Sequence, residues 1–290
     1  MTIIGVLSPG AMGAALARTW QRSGARVVTT TAGRSARTQQ LAEGLELVDS
    51  IDEVVRAADL VVSVVPPARA VANAEQIAAA ALRRQVRPVV ADLNAISIPT
   101  LEWITSVLTE AGCAVIDGSI SGNPPHPDSG QETRIYLSGP GTQALTAFDT
   151  PELRSIEVGS EPGRASAIKM CTAAVYKGMT ALMVQALRTA DAHGVAEFVA
   201  TDWADMLGDL GAGAAHRIAV ATSKSDRFPD EMREIAATQG AAGFGAQLHE
   251  AIAEVFESAH RTALGDLSPE QAADVHDLTV VLAALRTARD

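Results

Sequence analysis

The chain has 290 residues, 47% of them hydrophobic, a net charge of −11 and two cysteines. That length can bury the core of one large or two ordinary domains, and an acidic balance without a basic tract excludes broad electrostatic binding to nucleic acid or an anionic membrane. Cys113 and Cys171 lie far apart with no CxxC or Cys/His spacing, so neither a disulfide framework nor a metal site is expected, and a reducing cytoplasm is the expected setting.

The apolar N-terminus lacks the charged n-region of a signal peptide and is interrupted by Pro9-Gly10. Lys169, Lys177 and Arg188 break the longest apolar candidate, from Ala165 to Leu187, so no membrane span is expected. Short β-branched runs then alternate with Ala-rich amphipathic segments: TIIGVL, ARVVTTT, DLVVSVVP, RPVVADL, CAVIDGS, RIYLSG and LRSIEVG. This alternation predicts an α/β Rossmann-type domain, a doubly wound parallel sheet with helices on both faces, over 1–162. From Arg164 the strand-like runs stop and helix punctuation takes over, which predicts an all-helical domain over 163–290, with the boundary at Glu161-Pro162-Gly163.

The first strand runs into Ser8, Pro9, Gly10, Ala11, Met12, Gly13, the place of a dinucleotide-binding turn. Of the three glycines such a turn uses, the second lets a pyrophosphate approach the backbone and the third lets helix and strand pack closely. Gly10 and Gly13 fill those two places. Ser8 stands for the first, and Pro9 is expected to pre-set the turn dihedral in its stead. A helix over 11–22 would then aim its free N–H groups and positive dipole end at the phosphates. The alternative is an ordinary strand-to-helix turn that uses glycine for structural reasons alone.

The second strand carries no acidic residue before Glu43 to hold the ribose hydroxyls of NAD. It runs instead into Arg34, Ser35 and Arg37, two guanidinium groups and a hydroxyl suited to a 2′-phosphate, so NADPH is the expected cofactor. The alternative is that both arginines only solvate a helix start.

Reduction of a C=O or C=N bond needs a group that supplies a proton as charge develops. Lysines are scarce: Lys169, Lys177 and Lys224. Lys169, in GRASAIKMCTAAVYKG, has apolar neighbours that would lower its pKa if it were buried. The alternative is a stem packed on the helix with its head in water. Asp117 reads as a strand end capping the following turn, Glu231 and Glu234 as first-turn acids of a helix, and His126 as an exposed loop residue. The other histidines, at 193, 216, 249, 260 and 276, have no metal-ligand spacing.

IGVLSPGAMG, ADLNAISIPT, IDGSISGNP and GRASAIKMCTA, in that order, resemble the motifs of the β-hydroxyacid dehydrogenases, a superfamily that includes 3-hydroxyisobutyrate and 6-phosphogluconate dehydrogenases. The later helices, with RFPDEMREIAAT, look more like a less characterised branch of it. The resemblance implies an NADPH-dependent oxidoreductase acting between a carbonyl and an alcohol, with Lys169 as acid or base. It implies that Ser121, Gly122 and Asn123 hold the substrate, that Asn94 helps to place the nicotinamide, that the backbone of Val65 and Pro66 lines the cofactor cleft, and that the chain forms a homodimer through its helical domain. Ala173 stands where the superfamily commonly has an asparagine, and Asn123 where it has a glycine. Tyr176 and Lys177 are the nearby groups able to compensate for the lost amide. Two rivals remain: an imine reductase, whose iminium substrate a lysine would repel, and a non-catalytic NADPH-binding protein, suggested by the altered substrate side.

Overall fold

The computed structural model describes residues 1–287 and divides into two compact units, Met1–Met170 and the remainder from Cys171. The first unit contains β1 (Ile3–Leu7), α1 (Ala11–Arg22), β2 (Arg26–Thr29), α2 (Ala36–Leu41), β3 (Glu46–Leu47), α3 (Ile51–Ala57), β4 (Leu60–Ser63), α4 (Ala70–Arg84), β5 (Val89–Asp92), α5 (Ile98–Glu110), β6 (Ala114–Ser121), β7 (Thr133–Ser138), α6 (Gln143–Thr146), β8 (Leu153–Glu157) and the start of α7 (Arg164–Ala192). Its strands form one sheet in the order β3-β2-β1-β4-β5-β6-β7-β8. The order reverses at β1 and β4, the switch point at which doubly wound sheets hold their ligands.

The strands alternate their faces, and each face is closed by its own helices. Val6, Val27, Val62, Ala91 and Ile116 pack with Leu16, Ala17 and Trp20 of α1. Their neighbours Leu7, Val28, Val61, Val90 and Val115 turn to the other side and pack with Val54, Ile77 and Ile104 of α3, α4 and α5. Burial of each Val, Leu or Ile side chain contributes about 1.5–3 kcal/mol, so this two-sided core fixes the sheet register firmly.

The sheet departs from the all-parallel expectation at one seam. β7 runs antiparallel to β6, with Asp117 opposite Ser138, and β8 is parallel to β7. A parallel crossover needs a helix-length connection, and the proline-rich segment between β6 and β7 contains only a 3₁₀ turn at Pro127–Ser129. β3 was not expected at all. It is two exposed residues long, Glu46–Leu47, with no apolar run to announce it.

The second unit is helical: the rest of α7, α8 (Ala196–Leu207), α9 (Asp209–Ala212), α10 (Ala214–Thr222), α11 (Phe228–Ala241), α12 (Gln247–His260), α13 (Pro269–Ala273) and α14 (Leu278–Arg286). Val184 and Leu187 of α7 pack with Ile218, Ala259, Leu264, Val281 and Leu285. Phe228 and Phe256 meet edge-to-face at 5.2 Å, joining α11 to α12. No helix among the described residues is long and apolar enough to cross a membrane, and no group of three or more His, Cys, Asp or Glu is placed to hold a metal.

Candidate active site

The turn between β1 and α1 is held by its own backbone. Gly10 N–H donates to Ser8 O at 2.8 Å, and the first bond of the helix ladder runs from Ala14 N–H to Gly10 O, also 2.8 Å. The N–H groups of Ala11, Met12 and Gly13 therefore precede the ladder at the positive end of the helix. A Cβ on Gly13 would lie 2.5 Å from Ser8 O, so only glycine lets the helix approach the strand this closely; a Cβ on Gly10 would meet nothing within 4 Å. The space over Gly10 is open, beside N–H groups of the kind that accept an anion. Ser8 itself, at φ +67°, adopts the left-handed conformation that a glycine would take. The expectation that Pro9 substitutes for the missing glycine is thus corrected: Ser8 carries the strain, which costs an L residue about 1–2 kcal/mol.

On the ribose side, Arg34 is half-buried in the loop after β2. It lines a cleft of about 220 Å³ with Val65, Arg69, Ala72, Asn73 and Gln76. Burial, and then the charge of Arg69, lower the Arg34 pKa. Ser35 caps α2, its hydroxyl accepting Thr38 N–H at 3.3 Å, and Arg37 is exposed in the first turn of that helix. Arg69, in the turn after β4, was missed by sequence reasoning; the signal was the arginine of VVPPARA, after the strand at the sheet's switch point.

A buried polar network fixes the turn that carries Val65 and Pro66. Val65 N–H donates to Asn94 Oδ1 at 2.7 Å, while Asn94 Nδ2 donates to Ser63 Oγ at 2.9 Å and to Asp92 Oδ2 at 2.8 Å. Asn73 adds a 2.9 Å bond to the same Ser63 hydroxyl. Both amide hydrogens of Asn94 are engaged, so it acts on the cleft by holding Val65 in place. Burial pushes the Asp92 carboxyl up to about 7, against the Asn94 hydrogen bonds that favour its charged form; Asp117 on the neighbouring strand adds to the rise.

Strand β6 leads into the residues expected to meet the substrate. Asp117 lies within the strand, buried, and its Oδ2 accepts N–H bonds from Gly163 at 2.8 Å, Ala165 at 3.0 Å and Ser166 at 3.2 Å, while Oδ1 accepts Ser166 Oγ at 2.6 Å. It therefore caps the distant helix α7, correcting the reading that it caps the turn following its own strand. One turn into α7, the half-buried Lys169 donates from Nζ to Ile120 O at 2.8 Å. Ser121 ends the strand beside that carbonyl, and Gly122 follows at φ +120°. Asn123 closes the loop: its side chain donates to Gln131 Oε1 at 3.2 Å and its carbonyl accepts Thr133 Oγ1 at 2.6 Å. Lys169, Ser121 and Gly122 are thus brought together by one strand end.

The remaining candidates lie in the second unit. Lys177 is buried and ion-paired with Glu231, with its Nζ 4.3 Å from the Phe228 ring centroid; Glu231 also accepts from Arg227 at 3.1 Å. Glu231 is in the first turn of α11 as expected, but it is buried rather than solvated, and its role as the partner of Lys177 was not foreseen. Ala173 is buried. Tyr176 is half exposed, with Arg217 Cζ 5.3 Å from its ring.

Residues 3–143 match the family model described as the NAD binding domain of 6-phosphogluconate dehydrogenase, and residues 190–259 match a domain of unknown function, DUF1932. No match was found among curated proteins. Among solved structures, a conserved protein of unknown function, described as structurally similar to 3-hydroxyacid dehydrogenases, shares 26% identity over 89% of this chain and 96% of its own, with a TM-score of 0.65. The 3-hydroxyisobutyrate dehydrogenase of Mycobacterium tuberculosis, determined with L-serine, shares 18% over 99% and 100%, TM-score 0.66. An imine reductase of Streptomyces aurantiacus shares 20% over 93% and 98%, TM-score 0.53. The first unit is therefore an NAD-binding Rossmann domain related to that of 6-phosphogluconate dehydrogenase.

Proposed function

We propose that the protein is an NADPH-dependent oxidoreductase that interconverts a carbonyl and an alcohol, with Lys169 as its acid and base. The observation that carries this reading is the Lys169 ammonium held on Ile120 O, next to Ser121 and Gly122, in the same unit as the nucleotide turn. NADPH, when bound, supplies the hydride. The Ala11 to Gly13 amides would hold its diphosphate, and Arg34 would meet its 2′-phosphate, with Ser35 and Arg37 at the adjoining start of α2. Ser121, Gly122 and Asn123 would bind a carboxylate or similar polar group of the substrate through a hydroxyl, backbone N–H groups and a side-chain amide. As the carbonyl carbon gains hydride, the oxygen takes a proton from Lys169 Nζ, which regains one from solvent; in the reverse direction the neutral amine removes it. The bond to Ile120 O fixes where Nζ sits.

Imine reduction is the second reading, supported by the likeness to an imine reductase. A fixed ammonium favours a developing alkoxide and repels an iminium, which argues for the carbonyl. Cofactor oxidation measured across ketoacids, semialdehydes and cyclic imines tests both: turnover of imines alone would reverse the assignment. Lys169→Ala should lower kcat by about a hundredfold or more with NADPH affinity retained within about twofold; an unchanged rate would remove Lys169 from the chemistry and favour a non-catalytic NADPH-binding protein.

We further propose a homodimer built through the helical domain, acting in the cytoplasm. Val175 and Leu182 of α7 and Phe198 and Met206 of α8 are exposed large apolar side chains in that domain, a surface suited to a second copy, and the free thiols Cys113 and Cys171 suit a reducing compartment. A monomeric mass by light scattering would sink the dimer.

A further inference from the structure

We infer that Arg34 and Arg69 form a two-armed clamp for the 2′-phosphate of NADPH, and that Arg69 sets the preference for a phosphorylated over a plain ribose. This rests on the cofactor reading above and adds a residue to it.

The arginines come from different segments, Arg34 from the loop after β2 and Arg69 from the turn after β4, yet they line the same cleft. The rest of its wall is Val65, Ala72 and the amides of Asn73 and Gln76, with no carboxylate. Other surface arginines meet carboxylates, among them Arg26 with Glu46, Arg83 with Asp52 and Arg286 with Asp191. Among the described residues, no acid pairs with Arg34 or Arg69. Two guanidinium groups facing one space repel each other, and a doubly charged anion between them turns that repulsion into attraction. Their planar donor forks suit a phosphate in particular. The depressed pKa of Arg34, with Arg69 among its causes, reports the same proximity. Ser35 and Arg37 are placed differently: the Ser35 hydroxyl already caps α2, and Arg37 is outside the residues that line the cleft. The cleft also adjoins the network at the switch point, because Val65 and Asn73 belong to both.

The test is calorimetric binding of adenosine 2′,5′-bisphosphate and of 5′-AMP to the full-length protein and to Arg69→Ala. Arg69 is exposed, so Arg69→Ala should fold as the wild type does, and a melting curve checks it. We expect the wild type to prefer the bisphosphate, and Arg69→Ala to weaken it by about tenfold or more while changing 5′-AMP by less than about twofold. Arg69→Lys, which keeps the charge but loses the fork, should retain part of the preference. Unchanged bisphosphate affinity in Arg69→Ala would overturn the clamp. Equal losses for both nucleotides would overturn it too, since they would assign Arg69 to the base or the 5′-phosphate. A wild type that binds neither nucleotide would overturn the cofactor reading itself, and it would do so before any substitution is made.

Discussion

The two lysines of α7, one in each unit, stand in opposite surroundings. In the first, Lys169 hydrogen-bonds the neutral Ile120 carbonyl, and Arg34 and Arg69 line one cleft whose wall has no carboxylate. In the second, Lys177 and Arg227 share the carboxylate of Glu231, and Lys177 is almost entirely enclosed. The partner, more than the residue type, decides whether a lysine serves chemistry or folding. A sequence shows the residue type alone.

The contrast is broken most directly at Lys177. Lys177→Met should leave the buried Glu231 with only the more exposed Arg227 of this pair of cations and lower stability by about 3 kcal/mol, whereas pairing it with Glu231→Leu should recover much of the loss. Urea titration of the single and double variants measures this. A stable Lys177→Met protein with impaired turnover would instead place Lys177 in the substrate site and erase the distinction.

Next in size is the pH response of Asp92. Its folded pKa, about 7, exceeds the unfolded carboxylate value of roughly 3.9. The native state therefore binds the proton more tightly, so the contribution to stability is full below about pH 4 and is lost as pH rises towards 7, by a few kcal/mol at most. Melting curves between pH 4 and 8 should show this fall, with Asp92→Asn flattening it. A contribution that grew with pH would mean that the Asn94 hydrogen bonds outweigh burial.

The smallest effects separate folding from binding within a single turn. Gly13→Ala should destabilise by about 1–3 kcal/mol, because its Cβ would press on Ser8 O. Gly10→Ala should fold as well as the parent, yet lose NADPH affinity by about tenfold or more, since its methyl would occupy the space assigned to the diphosphate. Equal NADPH affinity in Gly10→Ala and the parent would remove the diphosphate from that space.

Much of the first unit was legible because buried parallel strands are long apolar runs and helix starts carry glycine or serine punctuation. The nucleotide turn and its helix, Ala11–Arg22, were readable on those grounds. The antiparallel seam was not, since a strand's direction depends on what the chain does between strands. β3, two residues long, was too short to form a readable run. Within the site, Lys169 was visible through its scarcity and motif, but its tether to Ile120 O is a contact between segments far apart in sequence. Arg69, the Asp117 cap and the Lys177–Glu231 pair were hidden for the same reason: local spacing cannot report which distant group a side chain will meet.

The Asp117 cap carries one more consequence. Asp117, Ser119 and the Ile120 carbonyl follow one another along β6 and grip, in turn, the amides that open α7, the Ala165 carbonyl and the Lys169 amine. The pleat of one strand therefore works as a ruler for the nitrogen proposed as acid and base. A slip of β6 by a single residue would swing Asp117 to the opposite side of the sheet, uncapping the helix and unseating the amine together. The fidelity of that one alignment is thus a condition for having a site at all.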